Sequence, residues 1–406
     1  MKKVFAMVLA VAMMACMFAG CGSSAPASTA APAASAAPAS EAPASETSAA
    51  SSAPIKVGGI GPVTGPAAIY GKAVETAMKI AVEEVNALGG VQFELNFQDD
   101  AHDAETSVNA YGNLMDWGMQ VLVGTVTSTP CAAVAAEAAA DRVFVLTPSA
   151  SSPSVTEGRD NVFQMCFSDP NQGSASATYI ANNNMSEAIA VIYNNGDAYS
   201  TGIYEKFMAE AEDKGLNVVY TGTFTDDSAT DFSAQLTAAK DAGADMLFLP
   251  MYYTPISVIM NQCAAMNWDV KYFGVDGMDG LLSLEGFNTE LAEGAYLLTP
   301  FSADATDEKT QSFVAKYQAA CGDVPNQFAA DAYDCIWAVY EVCTANGVTG
   351  DMSAEEICDV LIEGFTNGYT YSGLTGSDMT WNANGEVTKA PKAVVIKDGA
   401  YALDQQ

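Results

Sequence analysis

The chain has 406 residues, a formal net charge of −33 and only two arginines, Arg142 and Arg159. So acidic a surface repels phosphate backbones and anionic lipid headgroups, which argues against nucleic acid as a partner and leaves solubility as the main meaning of the charge. The length leaves room for two lobes of ordinary size.

Lys2 and Lys3 give the chain a positive start, an apolar run follows from Val4 to Phe18, and Ala19-Gly20-Cys21 comes next. Residues 1–20 have the layout of a secretory signal, and the run is too short for a comfortable transmembrane helix. The cysteine after Ala-Gly resembles a bacterial lipobox, with Phe18 where a leucine is commoner. The resemblance implies a cut before Cys21, whose sulfur then carries a diacylglycerol. The competing reading is an ordinary signal with an incidental cysteine. From Gly22 to Pro54 the chain is almost entirely Ala, Ser, Pro, Thr and Glu. Such a stretch buries too little surface to offset its chain entropy, so residues 21–54 read as a lipidated cysteine and a disordered tether.

The folded part begins at Ile55–Ile60, a strand, followed by the loop Gly61–Gly65 and a helix over Tyr70–Leu88. Val74, Ala77, Met78, Ala81, Val85 and Leu88 keep to one face of that helix, and Gly89-Gly90 ends it. Phe93, Leu95 and Phe97 alternate with polar residues as a half-buried strand does. Helices are predicted near Thr106–Trp117 and Pro130–Ala140, with strands at Val121–Val126 and Val143–Leu146. The rhythm restarts after Asp169, with helices at Ser174–Asn182, Gly202–Lys214, Asp231–Asp241 and Ile256–Met266. Strands fall at Ile189–Tyr193, Val218–Tyr220, Met246–Leu249 and Tyr272–Phe273. Late helices are predicted at Glu308–Ala320, Phe328–Thr344 and Ala354–Glu363, and a closing strand at Ala393–Lys397. Repeated β-then-α units imply an α/β fold of two doubly wound parallel-sheet lobes. Sites in such sheets gather at the carboxyl ends of the strands.

No catalytic set is visible. His102 is the one histidine, and no Gly-x-Ser-x-Gly elbow presents a nucleophile. Gly59-Ile60-Gly61 begins like a dinucleotide fingerprint, but Thr64 stands where the third glycine belongs and Pro62 lacks an N–H. Asp99, Asp100, His102 and Asp103 could hold a metal, but read better as a polar turn after a strand. No cofactor is expected. Setting aside Cys16 and Cys21 leaves Cys131, Cys166, Cys263, Cys321, Cys335, Cys343 and Cys358, an odd number without Cys-x-x-Cys. They read as free, mostly buried thiols, with some disulfide left open.

The strand-end loops carry a different set. Ser128-Thr129-Pro130 is a helix start with a capping hydroxyl, whose free N–H groups and positive dipole end suit a carboxylate. Ser149 and Ser151 occupy the next such loop. Asp276, in the second block, is able to take an ammonium, while Tyr70, Tyr199, Tyr252, Tyr253 and Phe328 would wrap an apolar body. Singly, Ser128 is a plain helix cap, Asp276 a turn acid and the tyrosines core edge. Together at strand ends they suit a zwitterionic amino acid.

Residues Ile55–Gly71, Asp99–Asp103, Val123–Thr129, Thr147–Ser151, Asp169–Gly173, Tyr252–Pro255, Gly274–Gly277, Phe328–Tyr333 and Leu374–Trp381 resemble, in this order, the branched-chain amino-acid-binding proteins. These are the extracytoplasmic receptors of ABC importers, with the type I two-lobed periplasmic fold. The resemblance spans nearly all of Ile55–Gln406. It implies a three-crossing hinge near Asp169–Gln172, Thr299–Ser302 and Gly373–Asp378. The lobes then comprise residues 55–170 with 301–375, and 171–300 with 376–406. It implies ligand contacts at Tyr70, Val126, Ser128, Thr129, Ser149, Ala150, Ser151, Tyr199, Asp276 and Phe328, and at Tyr252 or Tyr253, where the match slips by one. Two departures matter: the positions of a family disulfide hold His102 and Thr127, and Asp276 stands where a glutamate is frequent. The reading is a lipid-anchored, monomeric receptor that presents an amino acid to the permease subunits of an ABC importer. Alternatives are a receptor for an amide or aromatic acid, and a ligand-sensing regulator. No signalling domain or second apolar span supports the latter, and an enzyme lacks machinery.

Overall fold

The computed structural model describes residues 53–404; the signal segment, Cys21 and the tether up to residue 52 lie outside the described residues. Two sheets organise the chain. In the first, β1 (Ile55–Gly61) lies between β2 (Phe93–Asp99) and β3 (Val121–Gly124), followed by β4 (Phe144–Thr147) and β5 (Val162–Gln164). All its pairings are parallel, with Ile55 opposite Phe93, Val57 opposite Val121 and Val145 opposite Val162. Central strands covered on both faces have no room for polar side chains, and the β3 and β4 residues are all buried. Helices α1 (Ala68–Ala87), α2 (Ala104–Trp117) and α3 (Ser128–Ala140) are the crossovers.

The second sheet has seven strands in the order β12-β11-β10-β9-β8-β6-β7. These are β6 (Ile189–Asn194), β7 (Val218–Phe224), β8 (Met246–Leu249), β9 (Lys271–Gly274), β10 (Tyr296–Thr299), β11 (Lys392–Lys397) and β12 (Ala400–Leu403). Its crossover helices are α5 (Ala198–Lys214), α6 (Ser233–Asp241) and α7 (Tyr253–Ala265), while α4 (Asp169–Asn182) leads in from the first sheet and packs against α5. Helices α8 (Glu308–Cys321) and α9 (Gln327–Ala345) pack against α1, and α10 (Ala354–Thr366) covers β4, so the chain returns to the first lobe after β10.

The structure departs from expectation in four places. The strands β5, β10 and β12 were not anticipated; each has only three or four residues, too few to carry a periodic signal. The second sheet is not purely parallel, because β11 runs antiparallel to β10 and to β12. Asp398 and Gly399 sit at φ 52° and 73° in the two-residue turn joining β11 to β12, the backbone that favours Asp-Gly in hairpins. Helix α4 starts at Asp169, five residues before the expected Ser174, with Pro170 tolerated in its first turn. The chain also stays on the first lobe beyond Gly373–Asp378. There Trp381 Nε1 donates to Gln164 O (2.8 Å), Gln164 N donates to Gly385 O (2.8 Å), and the Trp381 ring meets Phe365 at 4.9 Å.

The described cysteines are free, and all but Cys321 are buried. Among the described residues no helix is long and apolar enough to cross a membrane.

Candidate functional site

The carboxyl ends of the two sheets face one another in a closed arrangement. Gly71 lets α1 begin tight against the β1 loop: a Cβ there would lie 2.0 Å from Pro62 O. That contact aims Tyr70 at the other lobe, where its hydroxyl donates to Gly277 O (2.5 Å). Ile69 N donates to the Tyr253 hydroxyl (3.1 Å), Thr254 Oγ1 to Pro66 O (2.7 Å) and Thr129 Oγ1 to Asp197 Oδ1 (3.0 Å). His102 Nε2 meets Asp227 Oδ2 at 3.3 Å across the same seam.

Between these contacts lies a box of rings. Tyr70 stacks on Phe328 at 3.9 Å and meets Tyr252 and Tyr253 edge-on at 5.7 and 4.9 Å; Tyr252 stacks on Tyr199 at 4.8 Å. All five rings are buried, so they form one apolar wall. The two adjacent tyrosines divide the work: Tyr252 joins Tyr199 in the stack, and the Tyr253 hydroxyl accepts from Ile69 N.

On the first lobe, α3 begins at Ser128, and its N-cap is Thr127 with no side-chain cap. Ser128 is therefore the first helical residue, not the capping hydroxyl expected. The Thr127 hydroxyl is instead engaged by His102 Nδ1 at 2.9 Å, a hydrogen bond at the two positions that hold a disulfide in members of the family it resembles. The first-turn amides of α3 are thus left without a side-chain acceptor, which makes them a seat for an anion. Ser152 N donates to Ser128 Oγ (3.2 Å), and Ser149 Oγ donates to Val126 O (2.7 Å). Ala150 is held by its N–H on Thr147 Oγ1 (2.9 Å) and its carbonyl on Gln164 Nε2 (2.8 Å). Ser151 Oγ is buried with no hydrogen-bond partner.

On the second lobe, Asp276 follows β9 and is 2% exposed. The Tyr199 hydroxyl donates to its Oδ1 (2.5 Å) and accepts from Gly277 N (2.9 Å). Burial pushes the Asp276 carboxyl up to about 6, with the Tyr199 hydroxyl and the Gln327 side chain working against that rise. Two residues missed as site members stand beside it. Gln172 Oε1 accepts from Asp276 N (3.3 Å), and its Nε2 is unpartnered. Asp169, fully buried, has neither carboxylate oxygen partnered, and burial with the nearby Asp276 charge pushes it well above the usual carboxylate range. Both lie in Asp169-Pro170-Asn171-Gln172-Gly173, which had been read as hinge; its polar residues around a helix-initiating proline were the available signal.

The acidic turn after β2 is spent on its own backbone. Asp99 Oδ1 accepts from Val63 N (2.8 Å) and Ala101 N (2.9 Å), Asp100 from His102 N (2.9 Å) and Asp103 caps α2 through Thr106 N (2.8 Å). Among the described residues no group of three or more His, Cys, Asp or Glu is arranged to hold a metal ion. The cleft thus combines open helix amides on one lobe, a buried acid on the other and rings between them.

Comparison with known proteins agrees with this architecture. The chain is 31% identical over 234 residues to Leu/Ile/Val-binding protein homolog 3 of Brucella melitensis, covering 57% of this chain and 63% of that protein's length. The branched-chain amino acid transporter substrate-binding protein LivJ from Streptococcus pneumoniae, solved with isoleucine, superposes with a TM-score of 0.78 at 27% identity, covering 86% of this chain and 98% of that one. An ABC transporter solute-binding protein from R. palustris, solved with benzoate, shares the fold with a TM-score of 0.76 at 19% identity, covering 86% and 95%. The family model for periplasmic binding proteins matches residues 54–400. With two β/α lobes closing on a buried cleft, this chain belongs to the periplasmic binding protein family and has its type I fold.

Proposed function

We propose that the chain is an extracytoplasmic receptor that binds a zwitterion with an apolar side chain, an aliphatic or branched-chain amino acid, and delivers it to the permease of an ABC importer. The observation that carries this reading is the opposition of the uncapped start of α3 to the buried Asp276. The ligand carboxylate would take the α3 amides with Ser128, Thr129 and the Ser149–Ser151 loop. Its ammonium would take Asp276. Tyr70, Val126, Tyr199, Tyr252 and Phe328 would enclose the side chain, and Tyr253 would hold the lobes together. The isoleucine bound to the pneumococcal relative supports the ligand class.

In this reading one lobe comprises residues 55–170 with 301 onward, and the last crossing falls between Thr388 and Lys392, where the chain leaves β5 for β10. Closure is a hinge motion that buries the ligand. In this reading the signal and Cys21 anchor the mature receptor through a lipid, and it acts as a monomer that binds without catalysing. A second reading, an aromatic acid, draws on the benzoate complex and the stacked rings. Asp276 disfavours it, because a benzoate offers no cation to that carboxylate. Titration calorimetry with the twenty amino acids and benzoate separates the two: heat with leucine, isoleucine or valine supports the first, and heat with benzoate alone overturns it.

A further inference from the structure

A second cavity, of about 440 Å³, lies beside the crossing that follows β10, and its wall residue Gly280 borders the Tyr70 and Tyr253 rings of the aromatic box. Its walls come from both lobes: Leu282, Leu297 and Val394 from the second, Val314 on α8 and Val324 from the first, with Phe301 in the crossing itself. Its charged groups are of one sign. Asp279, Asp304 and Asp323 line it, and no lysine or arginine does.

Two independent features mark it as more than a packing defect. Asp279 is 4% exposed and uses one carboxylate oxygen to accept from Gln327 N (2.7 Å); the other, Oδ1, is buried with no partner. A buried carboxylate oxygen without a donor is costly, and its natural complement is a cationic or N–H donor group. At the rim, Val324 is 55% exposed, one of two large apolar side chains so exposed among the described residues. An apolar body covering it would remove that surface from water.

From the apolar walls, the single sign of charge and the orphaned oxygen, we infer that this cavity is a second binding site, for a small amphiphilic amine. The ammonium would complete Asp279 and the hydrocarbon part would lie along Phe301, Leu282, Val314 and Val324. The volume suits a ligand of about ten heavy atoms. Burial pushes the Asp279 carboxyl up to about 7, with the Gln327 and Gly280 amides opposing the rise and the Asp276 and Asp331 charges adding to it, so such an amine should bind best above neutrality.

The probe is 2-phenylethylamine, with 2-phenylethanol and 3-phenylpropionate as its neutral and anionic counterparts, titrated calorimetrically into the full chain at about pH 8. The amine should bind at millimolar concentration or tighter, and about tenfold or more better than either counterpart. Asp279→Asn, which keeps an acceptor for Gln327 N, should weaken it about tenfold, and Val314→Trp, which fills the cavity from the half-buried face of α8, should abolish it. Asp276→Ala, which removes a neighbouring carboxylate but no wall of this cavity, should change amine binding by no more than about threefold. The inference is overturned if the wild-type chain takes up no amine, if the alcohol binds equally well, or if binding survives Val314→Trp but is lost in Asp276→Ala. The last result would put the amine in the main cleft. The cleft reading is judged separately, by amino-acid binding to Asp276→Ala, so either reading can fail without the other.

Discussion

Replacing Asp276 by alanine removes the acid to which the proposed site assigns the ligand ammonium. The side chain is 2% exposed and accepts the Tyr199 hydroxyl at 2.5 Å, so a ligand cation meeting it is withdrawn from water. Truncating one partner of such a pair typically costs about 2–5 kcal/mol, because the other charge is left buried and unpaired. At about 1.4 kcal/mol per decade, amino-acid affinity should fall by about 30-fold or more. Asp276→Asn should recover little, since the amide keeps the shape but not the charge. Folding should change little: burial holds the carboxyl at about 6, so its ionised form costs the closed protein free energy. Ser128→Ala should be milder, because the α3 amides remain. Titration calorimetry with the best ligand measures all three variants. Asp276→Ala with affinity within about threefold of wild type, below about 1 kcal/mol, would refute the reasoning. The unpartnered carboxylate of Asp169 would then be the next candidate for the ammonium.

Other consequences concern closure, folding and the anchor. His102 spans the lobes to Asp227, with Asp197 and Asp100 also facing it; burial alone would lower its pKa, but Asp227 raises it above 6.5. A raised pKa contributes fully below the ordinary value and is lost as pH rises through the higher one. Ligand affinity should therefore weaken as pH rises above the ordinary histidine range in the wild type, and His102→Gln should remove that slope, as calorimetry across pH can measure. Lys389 and Asp331 form an ion pair at 2.7 Å with both side chains 0% exposed, so Lys389→Ala should destabilise the chain by about 3–5 kcal/mol in urea denaturation. A loss below about 1 kcal/mol would mean that water reaches the stranded carboxylate. Cys21→Ser should move the protein from the membrane fraction to the soluble one, and retention by the membrane would exclude lipidation there.

Much of the fold was legible because α/β crossovers impose two periods on one chain. The helix face of Val74, Met78, Ala81 and Val85 and the buried strands of the first sheet follow directly from that patterning. The start of α4 was not legible. Pro170-Asn171-Gln172-Gly173 has loop chemistry, yet it turns helical because Gly173 lets α4 approach α5 closely: a Cβ there would lie 2.4 Å from Ile203 O. Strands as short as β5 and β10 exist only because a neighbouring strand completes their hydrogen bonds.

For the site, the sequence by itself determined the residue types and their strand-end positions, since hydroxyls, one acid and several tyrosines recur where doubly wound sheets open. In a chain with 49 acidic residues it could not determine which carboxylates lose their water. Only the tertiary structure decided that, by closing one sheet's loops over the other's. Closure buried Asp276, Asp169 and Asp279 while surface acids stayed solvated. It also set His102 against Thr127 on one side and Asp227 on the other. Burial depends on contacts between segments far apart in the chain, and no local pattern carries that information.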